Sequence, residues 1–267
     1  MKHISRLLKL FIPITVFIGY VAFIGWVDTG ITGRVDTWSE LIRRLGFDFG
    51  FILLLYFFCH KFIQKDSNRI SLSRQRACVL FLIYPGVRLL FDRFSLLVLD
   101  LLGVTYVLSV DQDTCTVIEY ISAIISGVFF APIIEELIFR KIFISLYRSK
   151  AGKIAGALFG SFIFAWAHTS ASRFSCLMTG LIFSAIYLWT GNIKITIWIH
   201  MLSNFFATVI WFICREISNE KILSNFGSII YCDTRILIVM VIISAMICGF
   251  YFMKTKKRGL DNGSIDS

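Results

Sequence analysis

Eight stretches of the chain, near 7 to 27, 47 to 63, 78 to 110, 117 to 145, 154 to 168, 174 to 190, 195 to 214 and 236 to 253, are apolar over much of a bilayer's depth. A crossing needs about 20 mostly apolar residues, and in lipid only a helix or a closed barrel satisfies its own backbone. The expectation is an all-α, polytopic membrane helix bundle of about eight transmembrane helices. Composition agrees: 57% of the residues are apolar and 16% charged, too little polar surface for a soluble domain of 267 residues. The run 78 to 110 carries Arg88, Asp92 and Arg93 and is long for one crossing, so it reads as a tilted helix with an interfacial extension or as a hairpin. The first run follows Lys2, Arg6 and Lys9 without a small-residue cleavage site, which favours a retained signal anchor.

Basic residues set the orientation. With both termini cytoplasmic and eight crossings, the inner segments hold eighteen Lys and Arg against seven in the outer loops, as the positive-inside rule requires. The net charge of +10 is thereby explained without nucleic acid, for which no soluble basic face with aromatic partners is present. The seven cysteines show no CxxC or zinc-finger spacing. Most read as small apolar fillers, with Cys115 and Cys232 in outer loops as a pairing candidate. The chain divides into N-terminal helices (1–116), a core (117–215), an outer loop with the last helix (216–253) and a basic cytoplasmic tail (254–267).

Against this background the stretch APIIEELIFR, 131 to 140, stands out. Ionisable groups at membrane depth are costly and are functional candidates by default. The shortlist is Glu135, Glu136, Arg140, His168 and His200. Glu136 and Arg140 are four apart and can pair on one helix face; Glu135 is turned by about 100° and must point elsewhere. Phe164 and His168 share a face, preceded at the same interval by Gly156 and Gly160, which let backbones approach closely and turn His168 inward. His200 and Asn204, again four apart, offer two donors to one oxygen atom. At about 1.5 Å per residue, Glu135, His168 and His200 all fall within the inner half to the middle of the bilayer.

Such a set suits water activation beside a carbonyl. A carboxylate in a low-dielectric cavity can take a proton from water, a histidine can hold or share it, and donors aimed at the developing oxyanion lower the barrier. Peptide-bond hydrolysis is the natural reaction class. A metal version is equally open, with Zn2+ held by Glu135, His168 and His200; no HExxH decides between them.

EE-x3-R at 135 to 140, F-x3-H at 164 to 168 and H-x3-N at 200 to 204, in that order on membrane helices, resemble the CPBP intramembrane protease family, also called the Abi or CAAX-protease family. The resemblance covers about 117 to 215. It implies a membrane-embedded endopeptidase in which Glu135 is the catalytic carboxylate and His168 its partner on water. His200 and Asn204 stabilise the oxyanion, and Glu136, Arg140 and Phe164 support them. It also implies a peptide or small-protein substrate and roles such as peptide processing or bacteriocin self-immunity, and it leaves open whether zinc is bound. An integral protein of a bacterial cytoplasmic membrane is expected, with the bilayer and other membrane proteins as partners.

Plainer readings compete at several positions. Glu136 with Arg140 is a structural ion pair before it is chemistry, Phe164 packing or pocket wall, and Asn204 interhelical glue. Trp26, Trp166, Trp189, Trp198 and Trp211 are interface anchors. A transporter would show broken helices or two-fold repeats, neither of which is evident. A non-proteolytic scaffold that keeps the motifs and binds partner membrane proteins is the remaining alternative.

Overall fold

The computed structural model describes residues 37–62, 74–103, 116–147, 149–168 and 172–217, with isolated positions 15, 18, 19, 242 and 246. The first and last apolar runs, the basic tail, Cys115, Cys232 and Trp26 lie outside the described residues, as do the side chains of Cys78, Cys214 and Trp211. Among the described residues every regular element is helical: α1 (Trp38–Phe62), α2 (Arg74–Leu101), α3 (Val117–Ser145), α4 (Lys150–Trp166), α5 (Arg173–Thr190) and α6 (Ile193–Ile217). α3 and α5 are long and apolar enough to cross a membrane, and Ile193–Val209 is a shorter apolar run.

α3 begins at a capping box. Thr116 Oγ1 accepts from the Glu119 N–H while the Glu119 carboxylate accepts from the Thr116 N–H, so the one charge in the first half of this apolar run has a local use. The helix then widens into π turns over Ala123–Phe130, where the Ala131 N–H reaches back five residues to Ser126 O. Pro132 has no N–H to continue an α ladder, which makes the wider register cheap at this point. A second π stretch covers Leu137–Ile142, with Phe143 N–H reaching Ile138 O. The two adjacent glutamates thus sit on one short α segment between two π stretches, a form of irregularity that gathers at functional sites.

The chain forms two compact units, 1–70 with 112–169 and 176–201, and 71–111 with 170–175 and 202–267. In the first, Ile134, Ile138, Phe139 and Ile142 of α3 pack with Leu55 of α1 and Phe164 of α4. Glycines bring the backbones close. A Cβ at Gly156 would run into the Phe143 carbonyl oxygen, and one at Gly160 would lie 3.0 Å from the Phe139 carbonyl oxygen. Gly180 of α5 meets Ser161 in the same way. The four-residue interval read from the sequence therefore seats α4 on the helix that carries the glutamates. Because the obstacle at Gly156 is backbone, Gly156→Ala is expected to cost about 1–3 kcal/mol of stability. Thermal melts of the detergent-solubilised protein check this; a melt unchanged from wild type would show that the helices part freely.

α5 ends at Gly191, whose φ of 60° is the left-handed value that glycine adopts without strain, and Asn192 Oδ1 accepts from the Lys194 N–H at the start of α6. Within the second unit α2 is one uninterrupted helix, so between Arg74 and Leu101 there is no hairpin. Its charges are handled internally, with Arg88 Nε 3.2 Å from both carboxylate oxygens of Asp92. Cys59 and Cys176 are buried and in no disulfide, as the filler reading expects.

The distribution of polarity is inside out. Phe57 and Ile42 are among many exposed large apolar side chains, whereas Glu136, Arg140 and His200 are buried. A soluble protein would invert both halves of that pattern. Trp166, Trp189 and Trp198, near helix ends, are each more than half exposed, as interface anchors would be.

Candidate active site

Glu136 and Arg140, one turn apart on α3, are both fully enclosed. Arg140 Nη1 lies 2.9 Å from Glu136 Oε1, and Nη2 donates to the Gly180 carbonyl of α5 at 3.4 Å. The guanidinium faces two rings, with its central carbon 4.9 Å from the Phe164 centroid and 5.3 Å from that of Phe183. An isolated cation in so dry a place would be very costly; a carboxylate, a carbonyl and two π faces compensate it.

Glu136 Oε1 has a second partner. His200, on the second turn of α6, brings Nδ1 to 3.0 Å from it, while its other nitrogen, Nε2, stands 3.5 Å from Glu135 Oε2. The two carboxylates do diverge around α3, as adjacent helical residues must, and one imidazole spans the divergence. An ionised Glu136 only accepts, so this contact is Nδ1–H donating to the carboxylate. A proton on either Glu135 Oε2 or Nε2 would face the other atom across 3.5 Å. With one proton on that pair, Glu135, Glu136, Arg140 and His200 sum to zero charge, whichever of the two atoms carries it. Neutrality is what a desolvated cluster needs, and a shared proton is what acid–base chemistry needs.

His168 lies just beyond the end of α4, with Nδ1 2.6 Å from the Phe164 carbonyl oxygen and its ring 4.6 Å from the Phe164 ring. A carbonyl cannot donate, so Nδ1 carries the proton and Nε2 is left as a proton acceptor. The side chain is half-buried. Phe164 contacts Arg140, His168 and His200 together, serving as the wall against which three polar groups are placed. Asn204 follows His200 by one helical turn on α6 and belongs to the second unit.

For the zinc version the fit is partial. A tetrahedral zinc with ligand distances near 2.0–2.1 Å separates its ligand atoms by about 3.3 Å, close to the 3.5 Å between Glu135 Oε2 and His200 Nε2. Among the described residues, however, no group of three or more His, Cys, Asp or Glu is disposed to share an ion. In this arrangement Glu135 and His200 stand at a spacing that two zinc ligands can take, and His168 does not join them in a group of three.

Two contributors escaped the sequence reading, Gly180 and Phe183, both on α5. Phe183 is fully buried, and its ring lies 5.1 Å from that of His200. Gly180 and Ser184, small residues four apart, were the available sign that this face of α5 packs closely.

An apolar helical exterior around buried Glu136, Arg140 and His200, with the half-buried Glu135 beside them, defines an integral membrane protein with an internal polar site. Residues 117–206 match the family model described as "Type II CAAX prenyl endopeptidase Rce1-like". The chain is also 36% identical over 85 residues to the "Membrane-embedded CAAX protease MroQ" of Staphylococcus aureus (strain USA300), an overlap covering 29% of this chain and 34% of that protein. The chain thus spans about a third of the length of that curated relative. No solved structure matches. Residues 117–206 are thus similar to the CAAX-protease family that the three motifs resemble.

Proposed function

We propose that the protein is an intramembrane endopeptidase that hydrolyses a peptide bond near the end of a peptide or small membrane-associated protein. The observation that carries this is the facing of Glu135 and His200 at 3.5 Å, with Glu136 on the imidazole's other nitrogen. Glu135 takes a proton from water as that water attacks the scissile carbonyl, and returns it to the leaving amine. His168, whose Nε2 is an acceptor, assists on the same water. His200 is stabilised in its doubly protonated form by Glu136 and turns Nε2–H toward the developing oxyanion, with Asn204 as the second donor. Arg140 and Phe164 hold that arrangement. The family match and the similarity to a bacterial membrane-embedded CAAX protease support the reaction class, and a bacterial cytoplasmic membrane is the corresponding location. Processing of a signalling peptide and bacteriocin self-immunity are biological settings that suit this chemistry.

The test is cleavage by the full chain in nanodiscs of a mixed peptide library and of a prenylated peptide ending in Cys-aliphatic-aliphatic-X, with metal content measured on the same samples. Wild type is expected to cut at least one peptide and Glu135→Ala none. About one zinc per chain, lost in Glu135→Ala and His168→Ala, would add a metal to the reading. No cleavage by wild type, with Glu135→Ala still functional in cells at equal protein level, would leave a scaffold that acts by binding partner membrane proteins.

A further inference from the structure

Phe183 has no part in the chemistry above, yet it touches both groups that share Glu136 Oε1. Its ring centroid is 5.3 Å from the Arg140 guanidinium carbon and 5.1 Å from the His200 ring. Arg140 needs that contact more than an exposed arginine would. Of its donors, neither Nε nor Nη1 is in hydrogen-bond alignment with a partner, Nη1 meeting Glu136 as an ion pair alone, and the side chain is fully buried. On the carboxylate, Oε2 of Glu136 is likewise without a partner, so the charge of this pair is held through Oε1 and the two ring faces. Phe164 supplies one face from α4 and Phe183 the other from α5, while the Gly180 carbonyl, three residues before Phe183 on the same helix, takes Nη2. A guanidinium between two π faces is restrained in the plane in which it meets the carboxylate, and the imidazole beside the same ring is restrained with it.

We infer that Phe183 is a positioning residue: it holds Arg140 and His200 jointly on Glu136 Oε1, and so fixes which nitrogen of His200 faces Glu135. This rests on the reading of His200 as part of the site, but its readout does not require cleavage. If the ring acts through its π face, changing the electrons at constant shape must matter. If it is only core, shape alone must matter.

The experiment places 3,4,5-trifluorophenylalanine at 183 in the full chain, which withdraws the negative ring face and leaves packing nearly unchanged. With only four histidines in the sequence, nitrogen-15 histidine labelling in nanodiscs gives a spectrum in which His200 is identified by its loss in His200→Gln. Wild type is expected to show a protected Nδ1–H proton. Trifluorination at 183 should speed its exchange with water about tenfold, as loss of a desolvated cation–π contact implies. Phe183→Leu should do at least as much, and the same fluorination at Phe143, which faces Phe139 and Phe159 and not Arg140, should do nothing. An unprotected Nδ1–H in wild type, or exchange unaffected by fluorination while Phe183→Leu merely lowers the melting temperature, would overturn the role. A chain that cleaves nothing but shows the fluorine response would sink the peptidase reading alone, and one that cleaves normally with an indifferent His200 would sink only this inference.

Discussion

Arg140→Met is expected to destabilise the protein by about 3–5 kcal/mol, the range for stripping one partner from a buried ion pair. Glu136 would keep its charge with no exposure to water, holding only the His200 Nδ1 contact at 3.0 Å. Arg140→Lys should recover part of the loss: an ammonium can reach the carboxylate but has no planar fork to face both rings while donating to the Gly180 carbonyl. The double variant Glu136→Gln with Arg140→Met is the informative one. It removes both charges and keeps an oxygen able to accept from His200, so it should be markedly more stable than Arg140→Met alone. Denaturant titration of wild type, Glu136→Gln, Arg140→Met and the double variant in one detergent measures the coupling. Additive losses would mean that the two charges do not depend on each other, whatever their separation.

What could be read from the sequence follows from how local each feature is. Helical periodicity acts over a few residues, so the spans near 117 to 145 and 174 to 190 coincide with α3 and α5 to within a residue. The Glu136–Arg140 pair was legible for the same reason, since an i,i+4 contact needs only the helix. So was the use of Gly156 and Gly160, because two glycines four apart have few other purposes on a membrane helix. The meeting of His200 with both glutamates was not, as 64 residues separate it from Glu136 and the register of α6 against α3 is set by packing. Adjacent glutamates on a helix suggested one structural and one chemical group; that a single imidazole also joins them was not legible. The π turns were hidden as well, although Pro132 is a local reason for the first. Phe183 was invisible because an apolar residue on an apolar helix offers no contrast, and only the cation it covers gives it meaning.

The same geometry dictates how the catalytic losses should combine. Glu135→Gln is expected to lower kcat by about 10²–10⁴-fold, the range for removing a general base, while leaving stability nearly unchanged because Glu135 is partly exposed and its amide is isosteric. His200→Gln should cost a comparable factor, as it removes both the Nε2 that shares Glu135's proton and the Nδ1–H that holds Glu136. Were the two residues independent, the double variant would multiply these losses. They are not expected to be independent: each variant removes one side of the same 3.5 Å contact, so the second substitution takes away an interaction already lost. The double variant should therefore be no worse than the poorer single by more than about tenfold. Single-turnover cleavage of the peptide that wild type cuts best separates this from effects on binding. Fully multiplicative losses would show that Glu135 and His200 act at separate steps, and would turn the search for the partner of Glu135 to His168, whose Nε2 is left as an acceptor by the bond between Nδ1 and the Phe164 carbonyl.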